Sequence, residues 1–139
     1  MTGSSIIVAL NKAGELYLVK QWRYPLSSYT LELPWGGRKP RETYLQAAKR
    51  ELREEAGLVA QSWKSLGRVA DCPGIVNELV SIFLARELKK VGTVTISEES
   101  DQSVATIPFS KAFRWVQTGK INDAVSIAAL TRAKIFLHL

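Results

Sequence analysis

The sequence of 139 residues holds one cysteine, Cys72, and one histidine, His138. No disulfide can form within the chain, and a zinc site built on cysteines fails for the same reason. Ser-His-Asp chemistry would have only His138, near the C-terminus, to draw on. Catalysis must therefore use carboxylates, Lys, Arg, Tyr, hydroxyls, or metals held through oxygen. Long apolar runs are missing too. The run from Ile6 to Leu10 is far below the ~18 residues that a membrane-spanning helix needs. It has no basic stretch ahead of it and no clear cleavage site. With a lone unpaired cysteine, the expectation is a cytoplasmic protein that makes no membrane contact.

No low-complexity tract, linker or internal repeat interrupts the chain. Apolar residues make up 46% and charged residues 23%, which is ordinary globular usage. One domain over residues 1–139 is expected, large enough to bury a sizeable core. Nineteen basic residues against 13 acidic give a net charge of +6. Such a surface attracts phosphates, nucleotides or nucleic acid, although solubility alone accounts for it equally well.

Local patterns predict mixed secondary structure. Ser5 to Leu10 reads as a strand, Asn11 to Gly14 as a turn and Glu15 to Arg23 as a second strand, together resembling a hairpin. Tyr24 to Ser28 reads as a loop, Tyr29 to Leu33 as a short strand, and Trp35 to Arg41 as irregular chain. Glu42 to Ala56 carries Leu45, Ala48, Leu52 and Ala56 at helical spacing, and Gly57 follows where a left-handed residue commonly ends a helix. Ser65 to Asp71, Glu78 to Leu88 and Val104 to Phe109 read as strands. Ser110 to Thr118 reads as a short helix ended by Gly119. Asn122 or Asp123 caps a final helix to about Phe136. Strands and helices mix without strict alternation, so a mixed sheet with helices on its faces is expected.

Chemistry concentrates between Gly36 and Leu58. On a helical wheel the apolar stripe faces the core, while Glu51, Glu54 and Glu55 cluster in a sector beside it. Glu51 stands at i,i+4 to Glu55 and i,i+3 to Glu54, where like charges repel by roughly a few tenths of a kcal/mol per pair. Arg50 offsets Glu54, but no partner on the helix is evident for Glu51 and Glu55. Two readings fit this cluster: a solvated acidic stripe, or a hard divalent cation held by oxygen ligands.

The wider spacing separates them. Gly36, five residues, Glu42, seven residues and then Arg50-Glu51-Leu52-Arg53-Glu54-Glu55-Ala56-Gly57-Leu58 resembles the Nudix box, with every specified position matched. The resemblance implies a Nudix-type α/β/α sandwich with a mixed β-sheet, of the α/β class, and a pyrophosphohydrolase. It implies that Glu51, Glu54 and Glu55 bind Mg²⁺ or Mn²⁺, and that Arg50 orients those glutamates by a charge-assisted hydrogen bond. Glu42 would support them from behind, and Gly36 and Gly57 would supply backbone turns. The carbonyl just before the box glycine is often a metal ligand in this family. Here that residue is Trp35, where members usually carry a small side chain.

Flanking segments resemble the branch of ADP-ribose pyrophosphatases and related nucleotide-sugar hydrolases. They are Gln21-Trp22-Arg23-Tyr24-Pro25, Leu31-Glu32-Leu33-Pro34, Cys72-Pro73-Gly74 with Asn77-Glu78, and Gly119 to Ala124 leading into Ile127 to Leu130. By this resemblance Arg23 contacts substrate phosphates, with Glu32, Glu78 and Trp35 beside the substrate. Trp22, Trp35 and Tyr24 offer rings for stacking on a base, whereas Trp63 and Trp115 are expected to pack in the core or at an interface. Many members carry an N-terminal extension used in dimer exchange and adenine binding, and this chain begins almost at the first strand.

In that branch a catalytic base often comes from a mobile loop after the box. Glu98, Glu99 and Asp101 are the candidates, with Glu99 preferred over Glu98. The expected activity is metal-dependent hydrolysis of the diphosphate linkage in a nucleoside diphosphate joined to a sugar or similar group. A nucleoside triphosphate pyrophosphohydrolase is the alternative reading. A non-catalytic nucleotide- or RNA-binding module is the second alternative. The expected partner is a small-molecule nucleotide rather than nucleic acid, and homodimerisation is left open.

Overall fold

The computed structural model describes residues 3–92 and 103–139. Among the described residues seven strands form two sheets: β1 (Ser4–Ala9), β2 (Glu15–Arg23), β3 (Ser28–Glu32), β4 (Trp35–Gly37), β5 (Leu58–Ala70), β6 (Leu79–Lys90) and β7 (Ser103–Pro108). The helices are α1 (Tyr44–Ala56), α2 (Phe109–Thr118) and α3 (Ala124–Leu137). One sheet has the order β4-β1-β6-β5 and the other β3-β2-β7. Strand β1 pairs antiparallel with β4 and parallel with β6, so the larger sheet is mixed.

Every residue of β1 is buried, which explains its unbroken apolar run: a strand covered on both faces has no solvent side to mark. Period-2 alternation sends Ile6 and Val8 into a core shared with Leu16, Leu18, Ile82, Ile121 and Leu130. Ile7 and Ala9 face the opposite way, against Ala48, Leu52 and Ala56 of α1 and Phe83 of β6. Helix α1 thus covers one side of the larger sheet. Helices α2 and α3 and the smaller sheet contribute to the core on the other.

Two local expectations need correction. Strands β1 and β2 do not form a hairpin: they belong to different sheets and share one isolated bridge, Leu10 to Leu16. The turn itself forms, with Asn11 Oδ1 accepting from the backbone N–H groups of Ala13 and Glu15. Both edges of β1 are occupied, by β4 and β6, so β2 passes to the second sheet. The stretch after Pro34 also begins with a short strand rather than irregular chain. Its pairing of Trp35 with Ile6, Gly36 with Ser5 and Gly37 with Ser4 fixes the start of the box against β1.

Helix α1 matches the chemistry of its ends. Thr43 accepts from Gln46 N–H while the Gln46 side chain accepts from Thr43 N–H, a reciprocal cap for two orphan donors. Gly57 ends the helix at φ 66°, donating its N–H to Arg53 O. Asp123 caps α3 by accepting from Ser126 N–H. Strand β5 starts at Leu58, seven residues before the expected strand, and is bent by a bulge between Ser65 and Arg68.

Candidate active site

Helix α1, strand β4 and the end of β2 meet around a recess of about 320 Å³ lined by Ser4, Gln21, Arg23, Trp35, Gly36, Gly37, Glu51 and Glu55. Glu51 can lie there because Gly36 has no side chain. A Cβ on Gly36 would occupy the space of the Glu51 carboxylate. Glu51 is 9% exposed and accepts from Arg50 Nη1 at 2.6 Å. Neighbouring residues on a helix do not ordinarily face one another, but the long Arg50 side chain reaches across. Glu51 therefore has a partner that the wheel does not show.

Arg50 is a hub. Its Nε donates to Glu42 Oε2 at 2.9 Å and its Nη2 to Glu42 Oε1 at 3.0 Å. Nη2 also reaches the Gly37 carbonyl at 2.8 Å, and Nη1 reaches Glu54 at 3.2 Å. One guanidinium fork thus ties the loop after β4 to the acidic face of α1. Hydrogen bonds from Arg50, then the Lys39 N–H, hold the Glu42 carboxyl down at about 2.

Glu55 differs from both. Its Oε2 accepts the backbone N–H of Trp35 at 3.1 Å. Burial first, and the negative charge of Glu51 next, push its carboxyl up to about 8. Burial also raises Glu51, against the pull of Arg50. Glu54 is half exposed and does not line the recess. Among the described residues no three His, Cys, Asp or Glu side chains converge as a closed metal cage. The residues of the recess nevertheless fit a hard divalent cation: the donors are oxygens, and two mutually repelling carboxylates share one opening.

Beside it lies a second recess of about 350 Å³, lined by Arg23, Pro25, Leu26, Thr30, Glu32, Trp35, Asn122, Asp123 and Ala124. Arg23 and Trp35 line both. Arg23 grips Glu32 with two parallel bonds, Nε to Oε2 at 2.8 Å and Nη2 to Oε1 at 2.7 Å. Trp35 Nε1 donates to Glu32 Oε1 at 2.9 Å, and the Thr30 hydroxyl donates to Oε2. Glu32 is 2% exposed. Burial would raise its carboxyl, but the bonds from Arg23, Thr30 and Trp35 outweigh it and hold the group below its ordinary value. With four donors on two oxygens, Glu32 serves as an anchor for Arg23 and Trp35.

The remaining expected residues are dispersed. Glu78 accepts from the Ser4 hydroxyl at 2.7 Å and so touches the rim of the first recess through Ser4. Trp22 and Tyr24 line neither recess; they form an exposed edge-to-face cluster with Tyr29. Trp63 packs edge-on to Phe83, and Trp115 sits against the larger core. Glu98, Glu99 and Asp101 lie outside the described residues. Ser4 and Thr30 line the recesses without a sequence signal, since only strand register brings them there, whereas Asn122 lies in the Gly119–Ala124 segment that resembles the branch. Gln21 had one, the Gln-x-Arg pattern of β2.

A family model described as NUDIX domain matches residues 2–134. An ADP-ribose pyrophosphatase of Mycobacterium tuberculosis is 35% identical over 134 residues, covering 92% of this chain and 63% of that protein. An ADP-ribose pyrophosphatase of Bacillus subtilis is 29% identical over 129 residues, covering 92% and 70%. The chain thus spans about two thirds of the length of these relatives. The fold is similar to a crystal structure of an ADP compounds hydrolase, with TM-score 0.88 and 23% identity, covering 99% of this chain and 73% of that one. Gly36 on β4, Glu42 on the loop that follows, Arg50, Glu51, Glu54 and Glu55 on α1 and Gly57 at its end all fall inside the matched region, and the chain belongs to the Nudix family.

Proposed function

We propose that the protein hydrolyses the diphosphate linkage of a nucleoside diphosphate joined to a sugar, with ADP-ribose the first candidate, in a reaction dependent on Mg²⁺ or Mn²⁺. The observation that carries this reading is the convergence of Glu51, Glu55 and Arg23 on one recess. An arginine beside two carboxylates suits a substrate whose phosphates need a cationic contact while the carboxylates need a cation of their own. The similarity to two ADP-ribose pyrophosphatases supports the same reading.

Glu51 and Glu55 would hold the cation, with Glu54 and the Trp35 carbonyl as further ligands. When bound, the cation supplies charge neutralisation and an acidified water. The protein's own groups do the rest. Arg50 fixes the acidic face of α1 to the loop at Gly37 and Glu42. The Trp35 N–H positions Glu55. Arg23, held by Glu32, presents its guanidinium to a phosphate oxygen. Glu98, Glu99 or Asp101 takes the proton from the attacking water.

The second recess favours a diphosphate with a neutral arm over a triphosphate. Among the described residues its lining has one cation, Arg23, against two carboxylates, Glu32 and Asp123. Another phosphate there would meet net negative charge at short range. The test is product analysis with Mg²⁺. ADP-ribose should yield two monophosphates, and ATP should yield little pyrophosphate. Efficient release of pyrophosphate from triphosphates, with ADP-ribose untouched, would overturn the reading.

A further inference from the structure

Trp35 is tied to both acids that flank it in the site. Its backbone N–H donates to Glu55, and its indole N–H donates to Glu32. Trp35 lines both recesses. Strand β4 fixes its backbone by pairing Trp35 with Ile6. The indole is fixed in turn by a carboxylate whose oxygens also bind Arg23 and Thr30. A ring held at both ends is set before anything binds, so little order is lost when a ligand packs on it.

The recess on the Glu32 side combines this ring with apolar Pro25 and Leu26 and with polar Thr30, Asn122 and Asp123. At about 350 Å³ it lies near the lower end of the range for ligand pockets. A lining that joins a tryptophan to Thr30, Asn122 and Asp123 suits a small polyhydroxylated ring, whose carbon–hydrogen edges can meet the indole and whose hydroxyls can meet the polar groups.

Resting on the reading above, we propose that Trp35 is a specificity-determining residue. Its locked indole is the surface on which the terminal sugar of the substrate packs while the diphosphate lies at Arg23. The ring therefore separates diphosphates that carry a sugar from those that do not.

The experiment measures binding by calorimetry in EDTA, with ADP-ribose and ADP as probes, for the wild type, Trp35→Ala and Trp35→Phe. The wild type should prefer ADP-ribose over ADP. Trp35→Ala should weaken ADP-ribose by ~10-fold or more and leave ADP within about 3-fold, so the preference collapses. Trp35→Phe keeps a ring and should retain most of the preference, which also covers the case in which Trp35→Ala fails to fold. An equal loss for both probes would place the effect on the phosphates through Arg23 and overturn the proposal. So would a preference unchanged in Trp35→Ala, or Trp35→Phe losing as much as Trp35→Ala. The two readings fail separately. A wild type that hydrolyses ADP-ribose with Mg²⁺ but keeps its preference in Trp35→Ala refutes only the role of Trp35. A wild type that neither binds nor hydrolyses ADP-ribose refutes the substrate.

Discussion

Glu32 is a buried acid and Glu55 a half-buried one, and Trp35 donates to both, to the first by its side chain and to the second by its backbone. Their electrostatics nevertheless point in opposite directions. Glu32 has a bidentate arginine, a hydroxyl and an indole N–H, and it stays ionised below the ordinary range. Glu55 has one N–H and faces like charge from Glu51, and its carboxyl is pushed up to about 8. An acid whose every lone pair is served belongs to the scaffold. An acid left short of partners in a shared recess is available to something from outside. The difference between the two comes from what the fold delivers to each, since both are glutamates.

The comparison breaks most sharply at Glu55. Glu55→Gln should lower kcat on the order of 10³-fold with saturating Mg²⁺, while chelation of the wild type removes activity altogether. In metal-free buffer at pH 8 the same variant should melt no lower than wild type. The sign follows from linkage: a carboxyl raised in the folded state contributes stability at acidic pH and loses it as pH climbs from about 4.5 through about 8. The metal-free wild type should therefore lose melting temperature over that window, and Glu55→Gln should flatten the loss. A large drop in stability for Glu55→Gln without metal would make Glu55 a structural acid like Glu32.

Glu32→Gln should show the reverse profile. Removing the buried charge of a pair whose arginine is partly exposed leaves Arg23 without its counterion, at a cost of about 1–2 kcal/mol. Chemical denaturation should read that loss directly. Because the Glu32 carboxyl is lowered, its contribution is present above about pH 4.5 and lost as pH falls below it. A variant as stable as wild type would contradict the anchoring role.

A third class of acid sharpens the contrast. Gln or Asn at Glu98, Glu99 or Asp101, tested singly, should in one case lower kcat by ~10²-fold or more with unchanged metal affinity. If all three stay within a few-fold, the proton acceptor lies elsewhere. The smallest effect is expected for Arg23→Lys, which keeps the charge but loses the fork. KM should rise by about 10-fold with little change in kcat. Unchanged kinetics would leave Arg23 as a partner of Glu32 alone.

Helix α1 was legible because its signals are local: apolar spacing for one face, Thr43 with Gln46 at one end, and Gly57 at the other. The box was legible because it is contiguous. Beyond such segments the reading weakened. Asn11 to Gly14 does turn, but whether the flanking strands pair depends on competition for the edges of β1, which residues thirty and seventy positions away win. Strand β4 has three residues, two of them glycine, and carries too little pattern to be seen before its partner is known. A helical wheel gives Glu51 no partner, because it omits how far an arginine reaches.

By itself, then, the sequence determined the chemistry available: oxygen ligands in place of sulfur or imidazole, and a 23-residue box with its glycines and glutamates in place. Those properties follow from composition and short-range spacing. Tertiary structure decided which of the glutamates are alike. Glu54 turned to solvent, Glu51 settled against Gly36, and Glu55 came to lie half-buried in the same recess as Glu51, accepting from the Trp35 N–H. Glu32, lying outside the box, gained Arg23 from an antiparallel neighbour and an indole from three residues on. Burial and electrostatic partners are sums over everything that surrounds a group, and those surroundings exist only once β1, β4 and α1 have come together.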